Sequence, residues 1–231
     1  MQQPFIHRFG RCALGGLAGL RRRLPLAAAS AAALVMAAAL SACGTPPART
    51  AVFDFGPGAT QPVMANRKAP LPPLLLSDVE ASSALDGTAV LYRLAYADAQ
   101  QLRPYAQARW SMPPAQLLRQ RLREQLGLRR SVFTPGDAVA PGTLALRLEL
   151  EEFSQLFSAA QTSSGLLRVR ATVARTGSPA KTLAQTSFVL QRAAASADAA
   201  GGVQALAQAS DALVQQLEAW LQQVAAAEPA P

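Results

Sequence analysis

The most regular pattern of apolar and polar positions runs over Thr143–Leu150, where Leu144, Leu146, Leu148 and Leu150 alternate with Ala145, Arg147 and Glu149. A period of two puts the leucines on one face of a β-strand and the charged residues on the other. The apolar parity then shifts to Phe153 and Phe157, which predicts a bulge or bend near Glu151-Glu152. Leu167, Val169, Ala171 and Val173 alternate with Arg168, Arg170 and Thr172, and a third run covers Leu183–Leu190. Turn-forming stretches at Ser163-Ser164-Gly165 and Thr176-Gly177-Ser178-Pro179 separate these runs. The region therefore reads as a three-stranded antiparallel meander. Neighbouring strands of this kind set Arg168 and Arg170 opposite Glu149 and Glu151, in ion pairs that contribute about 0.2–1 kcal/mol each.

Upstream, Thr50–Phe55, Leu74–Val79 and Ala89–Tyr96 read as further strands, the last introduced by the turn dipeptide Asp86-Gly87. Residues 56–73 hold Pro57, Pro62, Pro70, Pro72 and Pro73 and predict an exposed loop, because proline cannot donate to a sheet ladder. The stretch from Tyr96 to Arg109-Trp110 shows no clear period and is expected to be looser. Two segments carry helical spacing. In Pro113–Leu126, Leu118, Leu122 and Leu126 recur every fourth residue. Pro114 suits a first helical turn and Gly127 a position just past the end. In Gly201–Val224, Val203, Leu206, Leu213, Leu217 and Leu221 form an apolar stripe that predicts packing across a sheet. The expected class is α/β (α+β): a mixed, largely antiparallel sheet with two main helices packed on one face. This domain spans residues 50–225, with a frayed tail at 226–231.

The first helix is rich in arginine. Arg119, Gln120, Arg123 and Glu124 occupy its outer face with Arg121 also polar, and through Arg130 the segment has five arginines and one acid. Two readings stand: a solvated face whose long stems cover apolar surface, or a contact for an acidic partner or lipid head groups.

Residues 1–42 have a different character. Arg8, Arg11 and Arg21-Arg22-Arg23 stand without any acid, Leu24–Leu40 carries no charge, and Ser41-Ala42 precede Cys43. A basic region, a short apolar region and small residues make a secretory signal peptide. The uncharged run, 17 residues long, reaches the lower limit of a membrane span, so a retained anchor is the other reading. Leu40-Ser41-Ala42-Cys43 resembles the lipobox of bacterial lipoproteins. That resemblance implies cleavage before Cys43 and acylation of its thiol with palmitate-type chains, leaving residues 43–49 as lipidated cysteine and tether. Gly44 in place of an aspartate after the cysteine implies retention at the outer membrane.

Loss of the leader changes the charge and the available chemistry. Five of the 22 basic residues precede Cys43 and no acid does, so the formal charge falls from +8 to +3. That is too dilute for a nucleic-acid footprint. His7 and Cys12 also lie in the leader. What remains has no histidine and no free cysteine, which excludes a Ser-His-Asp triad, a Cys-His pair and an ordinary zinc site. A serine–lysine dyad using Lys68 or Lys181 and a carboxylate pair among Glu149, Glu151 and Glu152 stay open, although facing arginines are the ordinary explanation for the acids. The chain is expected not to be an enzyme and to hold neither cofactor nor metal.

One block is more specific: Tyr105-Ala-Gln-Ala-Arg109-Trp110-Ser-Met-Pro113-Pro114-Ala-Gln-Leu117-Leu118. With the lipobox, the strands TAVFDF and AVLYRLAY, the meander and the C-terminal amphipathic helix, it resembles the ABC-type transport auxiliary lipoprotein family over about residues 50–222. The resemblance implies a periplasmic, outer-membrane-anchored, non-catalytic accessory of an ABC transporter. It also implies a partner with a mammalian-cell-entry domain in a system moving lipid or hydrophobic compounds. An envelope-assembly or cell-wall-synthase regulatory lipoprotein is the alternative. Candidate partner contacts are Tyr105, Arg109, Trp110, Arg119 and Arg123; the aromatic cluster equally reads as core packing.

Overall fold

The computed structural model describes residues 49–57 and 71–227. The leader, Cys43 with most of its tether, most of the proline-rich segment and the last tail residues lie outside the described residues.

Among the described residues, eight strands form one sheet: β1 (Ala51–Phe53), β2 (Leu74–Ala81), β3 (Ala89–Leu94), β4 (Asp98–Trp110), β5 (Val132–Phe133), β6 (Leu144–Ala159), β7 (Thr162–Arg175) and β8 (Lys181–Ala193). Helix α1 (Pro114–Gly127) follows β4, and helix α2 (Ala199–Ala227) closes the described chain. β6 is the spine. One edge pairs antiparallel with β7, and β7 pairs with β8, giving the expected meander. The other edge of β6 is shared. Its first half pairs in parallel with β2, from Leu144 to Leu150, and its later part in parallel with β3, from Gln155 to Phe157. β5 extends the first branch; β4 and then β1 extend the second.

The branches part where the β6–β7 register shifts, between Leu150 and Glu152. This is the bulge that the parity change predicts. One extra residue reverses which side chains face the core. Phe153 opposite Leu167 therefore continues the buried face that Leu150 leaves.

Both helices lie on that face, α1 over β2 and α2 across β6, β7 and β8, and they touch each other. Leu118, Leu122 and Leu126 of α1 and Leu206, Leu213 and Leu217 of α2 are buried with Leu146, Leu148, Leu167 and Val169 of the sheet. A fully buried leucine contributes about 1.5–3 kcal/mol in transfer free energy, so this layer supplies most of the stabilisation. Pro113, extended at ψ 141°, leads into Pro114 at the start of α1. Asp198 caps α2: its carboxylate accepts from the Gly201 N–H at 2.8 Å and the Ser196 hydroxyl at 2.7 Å. The Gly201 bond first, and the Ser196 bond second, hold that carboxyl below the usual carboxylate range.

Several local expectations are corrected. The stretch before Trp110 is a 13-residue strand, not a looser segment. Its Pro104 is tolerated because β1 covers only Ala108–Trp110, leaving the rest of β4 as a sheet edge. β3 ends at Leu94, and Ala95–Ala97 form the turn. Gly127 belongs to the last turn of α1, whose cap is Leu128 in ordinary helical conformation. The β6–β7 turn falls at residues 160–161, which leaves Ser163-Ser164-Gly165 inside β7.

Gly165 answers to packing rather than turning. A Cβ there would stand 2.7 Å from the Leu206 nitrogen and 2.8 Å from the Ala205 carbonyl carbon. Both are backbone atoms of α2 and cannot swing aside. Gly165→Ala is expected to lift α2 off β7 and cost about 1–3 kcal/mol. Chemical denaturation checks this; an unchanged midpoint would mean that the helix does not seat so closely.

Candidate functional site

The Tyr105–Pro114 block divides into parts with different roles. Trp110 is 2 % exposed. Its ring meets Phe55 edge-on at 5.8 Å and Phe153 at 5.5 Å. It closes the core where β1, β4 and β6 converge, and is not available to a partner in this conformation. Arg109 is half-buried and turns back on its own strand, donating to the carbonyl oxygens of Tyr105 at 2.6 Å and Ala108 at 2.8 Å.

Tyr105 begins a polar chain through the interior. Its hydroxyl donates to Gln155 Oε1 at 2.9 Å, and Gln155 Nε2 donates to Ser163 Oγ at 2.7 Å. Gln155 is fully buried, and its amide lies against Gly202 of α2, where a Cβ would fall 2.1 Å from Oε1. Burial first, then the neighbouring Tyr92 and Asp198, push the Tyr105 phenol up to about 12. A folded-state value above the unfolded one, about 10, gives a stability contribution intact below pH 10. It is lost as pH rises toward 12. Tyr105→Phe leaves the buried Gln155 oxygen without this donor and is expected to cost about 1–2 kcal/mol at neutral pH. It should also flatten the alkaline fall in stability between pH 10 and 12. Denaturation midpoints for both proteins across that range test this, and an unchanged alkaline slope would assign the fall to other groups.

The arginines of α1 do not form one solvated face. Arg121, expected on the polar side, is 4 % exposed. Its Nη2 donates to the Phe55 carbonyl at 2.5 Å and its Nε lies 3.4 Å from Asp211 of α2. Arg129 and Arg130 both reach Glu218 of α2, at 3.5 and 3.3 Å. Three of the five arginines thus bind α2, Arg121 from α1 itself and Arg129 and Arg130 from the residues just after it. Arg119 pairs with Asp78 at 2.9 Å, and Arg123 is exposed. Arg119 and Arg123, one helical turn apart, border an open groove of about 510 Å³ with Asp78, Val79, Ala115 and Gln116. Among the candidate contact residues, these two alone present charge at an accessible concavity.

Of the candidate carboxylates, Glu151 and Glu152 are held by arginines. Arg170 meets Glu151 at 2.7 Å, and Arg168 lies 3.6 Å from Glu151 and 4.0 Å from Glu152. Register sets Arg170 opposite Glu149, but the bulge brings Glu151 to it as ion partner. Glu152 is buried and takes a two-pronged contact from Arg93 of β3, Nε at 3.2 Å and Nη2 at 3.0 Å, plus the Ser154 hydroxyl at 2.5 Å. The remaining Nη1 of Arg93 donates to the carbonyls of Ala99 and Gln100. Local spacing does not reveal this network: Arg93 and Glu152 are 59 residues apart, and neither stands out in its own strand. Ser178 and Lys181 do have serine–lysine spacing, but both are exposed beside the β7–β8 turn. Among the described residues, no three His, Cys, Asp or Glu side chains gather as metal ligands would.

Comparison with known proteins agrees with this architecture. The model of the family described as the ABC-type transport auxiliary lipoprotein component matches residues 55–218. The crystal structure of protein XCC0632 from Xanthomonas campestris is similar, with TM-score 0.57 and 20 % identity, over 69 % of this chain and 90 % of that one. The crystal structure of an uncharacterized protein matches with TM-score 0.55 and 15 % identity, over 75 % of this chain and 99 % of that one. At such identities the likeness concerns the fold. No curated protein matches the chain.

Proposed function

Since this chain belongs to the ABC-type transport auxiliary lipoprotein component family, we propose that it acts as a non-catalytic accessory of an ABC and mammalian-cell-entry-type system for lipid or hydrophobic compounds. In this reading it is anchored through acyl chains on Cys43 to the periplasmic face of the outer membrane. The family match carries the proposal, because it spans β2 through β8 with α1 and most of α2. The lipobox at Leu40–Cys43 agrees with it. So does the way the charged residues are used: Arg93, Arg121 and Arg130, all largely buried, each pair with a carboxylate.

The groove beside Arg119 and Arg123 is the accessible surface best suited to an acidic segment of a partner. Deleting this gene should reproduce the cargo defect caused by deleting the transporter's ATPase, and deleting both should add nothing. An additive double defect would place the protein in a different process, cell-wall synthesis included.

A further inference from the structure

The connection between Cys43 and the sheet bears on how the domain meets its membrane. β1 starts at Ala51, opposite Ala108, and runs parallel to β4. Its upstream end therefore points toward the end of the sheet where β4 begins. Three chain reversals form that end: Ala95–Ala97, residues 160–161, and the connection from Ala194 to Asp198. The Ala95 N–H donates to the Phe157 carbonyl at 2.9 Å, and the Ala194 N–H to the Ser163 carbonyl at 3.0 Å, which holds the three together.

Length decides the rest. The eight residues from Cys43 to Ala51 reach at most about 27 Å. β3 rises about 3.3 Å per residue from Ala89, opposite Arg109, so the turn at Tyr96 stands about 20 Å beyond the level of β1. A taut tether thus carries Cys43 only a few ångströms past that turn. The opposite end of the sheet lies about 25 Å the other way, the rise of β6 from Leu144 to Glu152, and the chain enters β1 from the far side.

The composition of this end suits a lipid surface. Across residues 94–100, 157–163 and 193–200, only Asp98 and Asp198 are charged and alanine predominates. Tyr96, at the tip of the β3–β4 turn, is 52 % exposed. An exposed tyrosine, apolar in body and polar at its tip, is suited to the head-group layer. The opposite end carries Arg129, Asp137, Arg175 and Lys181.

We propose that the end of the domain formed by Ala95–Ala97, residues 160–161 and residues 194–198 lies against the bilayer that holds the acyl chains, with Tyr96 seated among the lipid head groups. The opposite end and the α1–β2 groove then face away from that bilayer or to its side. The proposal rests on acylation of Cys43.

The mature acylated protein in phosphatidylethanolamine–phosphatidylglycerol vesicles provides the test. A fluorophore is attached at Tyr96→Cys or, at the other end, at the exposed Ala138→Cys, and quenched by lipids carrying a nitroxide near the head group. Quenching at position 96 is expected to be at least about threefold stronger than at 138. A label at Ala160→Cys should follow position 96, which guards against disturbance of the Tyr96 turn. Equal or stronger quenching at 138, in protein that floats with the vesicles, overturns the orientation and leaves the anchor standing. Protein that does not float overturns the anchor, and the orientation with it.

Discussion

Cys43→Ala is expected to abolish the acylated mature chain and leave an uncut precursor, read by mass spectrometry of envelope protein. The effect is large because the acyl chains outweigh any contact that the folded domain itself makes with a membrane. Acyl chains contribute about 0.8 kcal/mol per buried methylene. Two chains of ten or more methylenes thus supply on the order of 16 kcal/mol, well beyond any single surface contact. Among the described residues no helix is long and apolar enough to cross a membrane. If the variant is given a leader cut by ordinary signal peptidase, the domain should move from the membrane to the soluble fraction. Wild-type retention of that cut variant would show that the anchor lies elsewhere.

Glu152→Ala is expected to destabilise the domain by about 3–5 kcal/mol. The carboxylate sits at the bulge where the two branches of the sheet separate, and it binds Arg93 of β3 through both oxygens. Without it, the largely buried guanidinium loses its charge partner, while Arg93 still holds the start of β4 through the Ala99 and Gln100 carbonyls. Removing one member of a buried pair costs more than the pair itself contributes. Replacing both, Arg93→Met with Glu152→Leu, should therefore cost less than the single substitution. Urea denaturation of the three variants tests this. A double variant less stable than Glu152→Ala would show that the pair stabilises the junction beyond satisfying its own buried charge.

The legible parts of the fold were those with unbroken periodicity. The alternation in β6 and β7, the parity change at the bulge and the two amphipathic helices follow from local spacing, and the structure has them where the spacing puts them. What spacing could not show was pairing between distant segments. β4 lacked a visible period because much of it is a sheet edge, with bulges against β3 and a proline at position 104. Ser163-Ser164-Gly165 resembles a turn by composition, yet Gly165 is small because the backbone of α2 lies on it. Arg121, Arg129 and Arg130 looked like surface charge, since their partners Asp211 and Glu218 come from a helix about 90 residues later. In the candidate block, Trp110 serves the core and Arg109 its own strand. The accessible charge resides in Arg119 and Arg123 instead.

Affinity purification of the acylated protein from detergent-solubilised envelopes tests the central claim most directly. The account predicts recovery of a protein with a mammalian-cell-entry domain together with components of its ABC transporter. Recovery of a cell-wall synthase in their place, with acylation of Cys43 intact, would contradict it.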